Sequence, residues 1–303
     1  MDLLGITTGF GAATLMAVSF ISSGWAVRKV PGLNGLGVIS NAVVLMGIYS
    51  LCMLPFFWTP SLLTALRHGW LSLAGISASY FCGQIAIFTA QKKVDSSQIV
   101  PLLGVKLPML ALLNLLIFHE TFNVWQILGI ALTMLAAFVL NNAGYKIPWL
   151  TMLLVFFGCM LYSLSDMCIK AFADHVLEDS TNNVFLGSIQ CTLLSYIVCG
   201  IVGCCILAFR PVCRTKAAFL HTLPYSVCWL ISIVFLTICF ARIGTVNGNI
   251  VQATRGIIVI VVASLLICFG WMTVEQKVST KMLFRRIIAA LMMFGAIVIY
   301  NFR

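Results

Sequence analysis

Charge is what this chain has least of. Only 9% of its 303 residues are charged and eight are acidic, while 61% are apolar, against roughly 45–50% in soluble domains. So little charge cannot solvate a globular surface. No polar stretch exceeds the loop-sized Asp174–Asn183, which leaves no room for a soluble domain. No G-x-x-x-x-G-K-[ST] loop occurs, so the chain carries no ATP-driven motor of that type. H-E-x-x-H and G-x-S-x-G are missing, and the acidic residues are dispersed, which argues against a membrane enzyme acting on lipid-linked substrates. No two of the twelve cysteines stand in C-x-x-C spacing, and the four histidines fall at helix ends or loops; neither a metal site nor a cofactor is expected. The formal charge of +10 comes without a Lys/Arg cluster long enough for nucleic acid.

What remains is apolar length. A helix crosses the bilayer in about 20 residues, and runs near that length cover 5–27, 34–57, 70–91, 96–118, 123–142, 148–173, 184–209, 224–241, 245–270 and 284–302. The fold class expected is an all-α polytopic membrane protein with ten transmembrane helices. The first span lacks a basic leading segment and reads as retained rather than cleaved. Cysteine in such spans serves as a small apolar residue.

The ten spans repeat. Lys106 lies within the run Ser96–Phe118 and Arg255 within Thr245–Phe269, 149 residues apart; Tyr80 and Trp229 keep the same offset, as do Lys93 and Arg242. Ser23–Arg28 closes the first span and Ser165–Lys170 the sixth, at an offset of 142. Five helices per unit is odd, so residues 144–303 should form an inverted copy of residues 1–143. Inverted repeats place a substrate site at the midplane between the halves.

The residues that close spans one and six (Arg28, Lys170) and the polar lead-ins to spans four and nine (Val94–Gln98, Ile243–Asn247) are similar to those of the drug/metabolite transporter superfamily, in its ten-helix EamA-type branch. His119-Glu120-Thr121 followed by Gln126-Ile-Leu-Gly129 resembles that family's L-G-E-x-(4–5)-Q-x-x-G; the second copy, around Glu275, lacks the glycine and the spacing. The resemblance implies a secondary transporter in a bacterial inner (plasma) membrane, with lipid and a small-molecule metabolite as partners, as monomer or homodimer. It also implies cytoplasmic termini. The basic residues of the loops are concentrated on the opposite side, twelve against four, and by the positive-inside rule place both termini outside. The alternatives are a membrane-embedded enzyme acting on lipid-linked substrates and a channel or non-transporting sensor.

Lys106 and Arg255 lead the candidate binding residues. A cation at bilayer depth costs from about 3 to above 10 kcal/mol, so it is buried, paired and functional as a rule. Together they point to an anionic or zwitterionic substrate, unless one or both serve only as structural ion pairs. Tyr80 and Trp229, equivalent and mid-span, are candidate walls of the cavity, with Gln84 one turn after Tyr80. Asn114, Tyr162 and Gln252 are weaker polar candidates. Asp166, the acidic residue inside a span, has three readings: an ion pair with Lys170, a counter-charge to Lys106 or Arg255, or a protonation site that couples transport to a proton gradient. Pro101 and Pro108 should loosen span four around Lys106. Gly75, Ser79 and Gly83 on span three, and Gly187, Cys191, Ser195, Cys199 and Gly203 on span seven, recur every four residues and should form close helix contacts.

Overall fold

The computed structural model describes residues 2–91, 103–119, 121–141, 148–179, 183–209 and 215–256, with short stretches between 258 and 300. Every regular element among these residues is helical. They are α1 (Leu3–Lys29), α2 (Gly35–Met53), α3 (Ser61–Gln91), α4 (Lys106–Phe118), α5 (Val124–Asn141), α6 (Trp149–Asp179), α7 (Val184–Ala208), α8 (Lys216–Ile243) and α9 (Thr245–Ala253). Six helices have the length and apolar content to cross a bilayer, and α4 and α5 are shorter and equally apolar. The chain has a polytopic all-α membrane fold. Val94–Gln98, Pro101, Glu120 and Glu275 lie outside the described residues.

Helix starts follow local chemistry. Asp2, Asn34, Asn183 and Thr215 each accept backbone N–H groups that the first turns of α1, α2, α7 and α8 cannot pair internally. Gly244, at φ +80°, makes the break between α8 and α9, a conformation that a side chain would oppose. Two helices begin before the hydropathic runs suggest: α3 at Ser61 rather than residue 70, and α8 at Lys216 rather than residue 224. Hydropathy registers only the lipid-depth portion. Arg67 and His68 on α3, and Lys216 and His221 on α8, continue the helices into the polar interface. At 31 residues, α3 and α6 rise about 46 Å, more than the ~30 Å hydrocarbon core needs.

Packing crosses the two halves. α1 lies along α8, α3 along α6, and α2 along α7, while α4 rests on α6 and α9 on α1. The α2–α7 contact is reciprocal. A Cβ on Gly47 would stand 2.9 Å from the Gly200 Cα and 3.1 Å from the Tyr196 carbonyl oxygen; one on Gly200 would stand 3.0 Å from the Gly47 Cα and 3.2 Å from the Val43 carbonyl oxygen. Gly200 follows Gly47 by 153 positions, and Tyr196 follows Val43 by the same 153. The small residues of α3 do pack closely: Gly75 meets Cys168, and Gly83 meets Tyr162 and the Gly158 backbone, all on α6. The stripe on α7 divides instead. Gly187 packs on Leu177 of α6 and Gly203 on Val43 of α2, whereas Cys191, Ser195 and Cys199 turn to an interior cavity.

Candidate functional site

The cavity is enclosed by α1, α3, α4, α6, α7, α8 and the end of α9, and offers about 60 Å³ to the centres of water-sized molecules. One water needs roughly 10–15 Å³ of such space, so a few waters or a small group fit. Its walls are mainly apolar and aromatic. Among the residues that line it are Lys106, Arg255, Asp166, Tyr80 and Trp229. The sequence thus brings five of its six site candidates to one place. Gln84 is the exception: it is 1% exposed and stands away from the cavity wall. Four positions along a helix carry a side chain about 6 Å up the axis and past a full turn, enough to move Gln84 out of reach while Tyr80 stays. Of the weaker candidates, Tyr162 and Gln252 line the cavity and Asn114 does not.

Lys106 is the first residue of α4, reached through a 3-10 turn at Leu103–Val105. An ammonium at a helix N-terminus opposes the helix dipole. Its compensation comes from the other half of the chain. The Lys106 Nζ lies 2.6 Å from the Asp166 Oδ2 of α6, both side chains buried. Asn249 of α9 donates its Nδ2–H to the same Oδ2 at 2.7 Å and to its own Thr245 carbonyl at 2.9 Å. Ser163 of α6 donates to the Lys106 carbonyl at 2.9 Å, so α6 holds both the charge and the backbone of that turn. Asp166 is therefore the counter-charge of Lys106. Its sequence-local alternative fails because Lys170 pairs with Asp174, one turn further along α6. Asp174 belongs to a helix that outruns the apolar span, which hid it from a hydropathy reading.

Arg255 is 7% exposed and has a different setting. Its Nη1 points at the Met16 Sδ, 3.7 Å away, and its guanidinium carbon lies 5.7 Å from the Phe20 ring centroid. Thioether sulfur is a weak acceptor, and a ring face supplies about 0.5–2 kcal/mol. Of the two candidate cations, Lys106 is ion-paired, and Arg255 has no carboxylate partner among the described residues.

Between these corners stands an aromatic group. The Tyr80 and Trp229 ring centroids are 6.2 Å apart. Trp229 donates its Nε1–H to the Tyr196 hydroxyl at 2.6 Å, stacks on Tyr225 at 5.5 Å and receives the Phe20 edge at 5.7 Å. Four neighbours thus fix the orientation of the indole at the cavity wall. Met16, Phe20, Tyr196 and Asn249 are neighbours of the candidate residues that the sequence does not single out. Phe20 had a signal: it precedes Tyr162 by 142, the offset that relates spans one and six.

Residues 3–142 match the family model described as the EamA-like transporter family, which lies within the drug/metabolite transporter superfamily. The fold is similar to that of a solved structure described as "Crystal structure of protein", with a TM-score of 0.68 over 98% of this chain and 96% of that chain, at 13% identity. At that identity the likeness is one of fold alone. In total 28 solved chains match. No curated protein does.

Proposed function

We propose that this chain, a membrane transporter of the drug/metabolite transporter type, carries a small anionic or zwitterionic metabolite by alternating access around the central cavity. The observation that supports this reading most is Arg255: a buried guanidinium on the cavity wall, with sulfur and a ring face in place of a carboxylate. Leaving a charge buried without a partner costs several kcal/mol. An anionic ligand supplies the partner, and guanidinium presents a planar fork that suits carboxylate or phosphate. Tyr80, Trp229 and Tyr162 form the aromatic walls against which the remainder of the ligand packs.

Movement follows from the arrangement of the halves. The cavity lies where α1, α3 and α4 meet α6, α7, α8 and α9, and the ion pair of Lys106 with Asp166 joins the two sets across it. We take residues 1–143 and 144–303 as inverted five-helix repeats that rock about the reciprocal α2–α7 contact, the geometry known to give alternating access. Asp166, held by both Lys106 and Asn249, is the group whose protonation would loosen α4 and α9 from α6 and couple that movement to a proton gradient.

The test is exchange in proteoliposomes loaded with candidate metabolites. A carrier gives saturable counterflow, with uptake accelerated by internal substrate. Flux that rises linearly with concentration and shows no acceleration would replace the carrier by a channel.

A further inference from the structure

Two donors from the second half of the chain converge on one atom of the first. Gln252 of α9 donates its Nε2–H to the Met16 Sδ of α1 at 3.1 Å, and the Arg255 Nη1, just beyond α9, approaches the same sulfur at 3.7 Å. All three residues are buried, and all three line the central cavity. Met16 and Phe20, four apart, share a face of α1. Together they offer the guanidinium the sulfur and a ring whose centroid lies 5.7 Å from Cζ. An amide and a guanidinium are strong donors, whereas a thioether is a weak acceptor. Methionine is also unbranched, with three rotatable bonds, and adapts to irregular gaps. The acceptor at this point of the cavity wall is therefore weak, and it is carried on a side chain that can turn away.

We propose that Met16 is a resident stand-in for the ligand: its sulfur marks the point where an oxygen of the substrate's acid group accepts from Gln252 and Arg255, and the thioether gives way when that oxygen arrives. A carboxylate or phosphate oxygen accepts from a charged donor at about 2.7–2.9 Å and about twice as strongly as a neutral acceptor does. An acid thus displaces the sulfur, and a neutral carbonyl gains less by the same exchange. Met16 selects acids over their neutral counterparts in this way, which makes it and Gln252 specificity-determining residues of the site. The exchange also removes a tie between α1 and α9, helices of opposite halves, so binding itself loosens them. This inference rests on the transport reading for the ligand's identity as cargo, and on the three side chains alone for the place of its acid group.

Variants at position 16 grade the stand-in by acceptor strength. Glutamate puts a carboxyl carbon where the sulfur stands, glutamine puts an amide there, and leucine keeps the volume without an acceptor. In the wild-type background the Tm of Met16→Glu should exceed that of Met16→Gln by at least about 2 °C. In the Arg255→Gln background it should fall below it, because the buried carboxylate then lacks its cation. Equal differences in the two backgrounds would overturn the proposal. A second measurement needs only variants of near-native volume. Purified wild-type protein, Met16→Leu and Gln252→Leu are titrated with butyrate, inorganic phosphate and butyramide, with Tm as the readout. Butyrate or phosphate should stabilise the wild type where butyramide does not; the first assigns a carboxylate, the second a phosphoryl group. Met16→Leu should bind that anion about 3-fold or more tightly, the gain expected when one net hydrogen bond no longer competes, and Gln252→Leu should bind it more weakly by a similar factor. Affinity that is unchanged or weaker in Met16→Leu, or no shift with either anion in any of the three proteins, would also overturn it. Vesicles separate the two proposals. Saturable exchange that neither Met16→Leu nor Met16→Glu alters would end the stand-in and leave transport standing. Tighter anion binding in Met16→Leu without exchange of that anion would end transport of this class and leave the stand-in standing.

Discussion

At the Lys106 corner of the cavity a carboxylate meets the cation at 2.6 Å, and an asparagine steadies that carboxylate from a third helix. At the Arg255 corner, sulfur and an aromatic face stand where those groups would be. The α2–α7 contact behaves otherwise, because Gly47 and Gly200 meet reciprocally and each faces a carbonyl of the other helix. The contact that bears the packing is kept alike on both sides, while the proposed ligand site is not. A cavity with two identical corners would bind its ligand in either direction. On the proposed function, one filled corner would give the ligand a single orientation.

The largest expected effect comes from breaking the filled corner. Removing one member of a buried ion pair leaves the other uncompensated and costs about 3–5 kcal/mol. Lys106→Ala and Asp166→Ala should each lower the thermal stability of purified protein by that order. The double change Lys106→Met with Asp166→Leu should recover much of the loss. Equal, independent losses that simply add would mean that the pair carries no coupling. The sequence alone offers Lys106 and Arg255 as equivalent candidate binding residues; the ion pair of Lys106 assigns that residue's first effect to stability.

Arg255 should behave in the opposite sense. Arg255→Gln removes a cation that has no carboxylate partner among the described residues, so Tm should hold or rise. Exchange should fall by about 30-fold or more, the loss expected when a charge facing a bound charge is deleted at 2–5 kcal/mol. Unfolding and counterflow measured on the same preparations check both halves of the statement. A large drop in Tm with exchange preserved would make Arg255 a structural residue.

A smaller effect should mark the symmetric contact. Gly47→Ala brings a methyl to 2.9 Å from backbone that no rotamer change can move aside. Overpacking of this kind costs typically 1–3 kcal/mol. If α2 and α7 are the surfaces on which the halves rock, the exchange rate should drop as well, with substrate affinity unchanged. Thermal unfolding with concentration-dependent counterflow separates the two. An unchanged Tm and rate would mean that the two glycines have room to spare.

Why the sequence disclosed some of this and concealed the rest follows from particular residues. Lys106 and Arg255 stood out because lipid penalises charge wherever the helix places it, a rule that needs no neighbours. Tyr80 and Trp229 were visible through a common offset. The pairing of Asp166 was not, since Lys170 is four residues away and Lys106 sixty, and sequence distance favours the near cation. It took Asp174, beyond the apolar run, to claim Lys170. Gln84 lies off the cavity wall for a related reason: a face of a helix is not a depth, and only the packing of α3 on α6 decides which turn reaches the cavity. Met16 and Asn249 gave no signal of their own, because an apolar residue in an apolar helix, or an amide beside a polar lead-in, looks like its surroundings until a cation arrives opposite.

The subtlest prediction concerns Asp166 itself. Asparagine nearly matches aspartate in shape, so Asp166→Asn keeps an oxygen for the Asn249 amide and for Lys106 to approach, but it cannot gain or lose a proton. On the proposed coupling, loss of the Asp166 charge would free Lys106 and weaken the acceptor that holds Asn249, and so release α4 and α9 from α6 together. One carboxyl on one half is enough to bias that half, and its counterpart Gly24 cannot do the same. Asp166→Asn should therefore retain ligand binding and counterflow exchange, neither of which requires net proton movement. Net uptake driven by a pH gradient should lose its pH dependence. The measurement is gradient-driven uptake across a pH series beside counterflow at matched pH. Should the asparagine variant follow the wild-type pH profile, the pair of Lys106 and Asp166 is a fixed bolt between the halves, and transport proceeds by exchange.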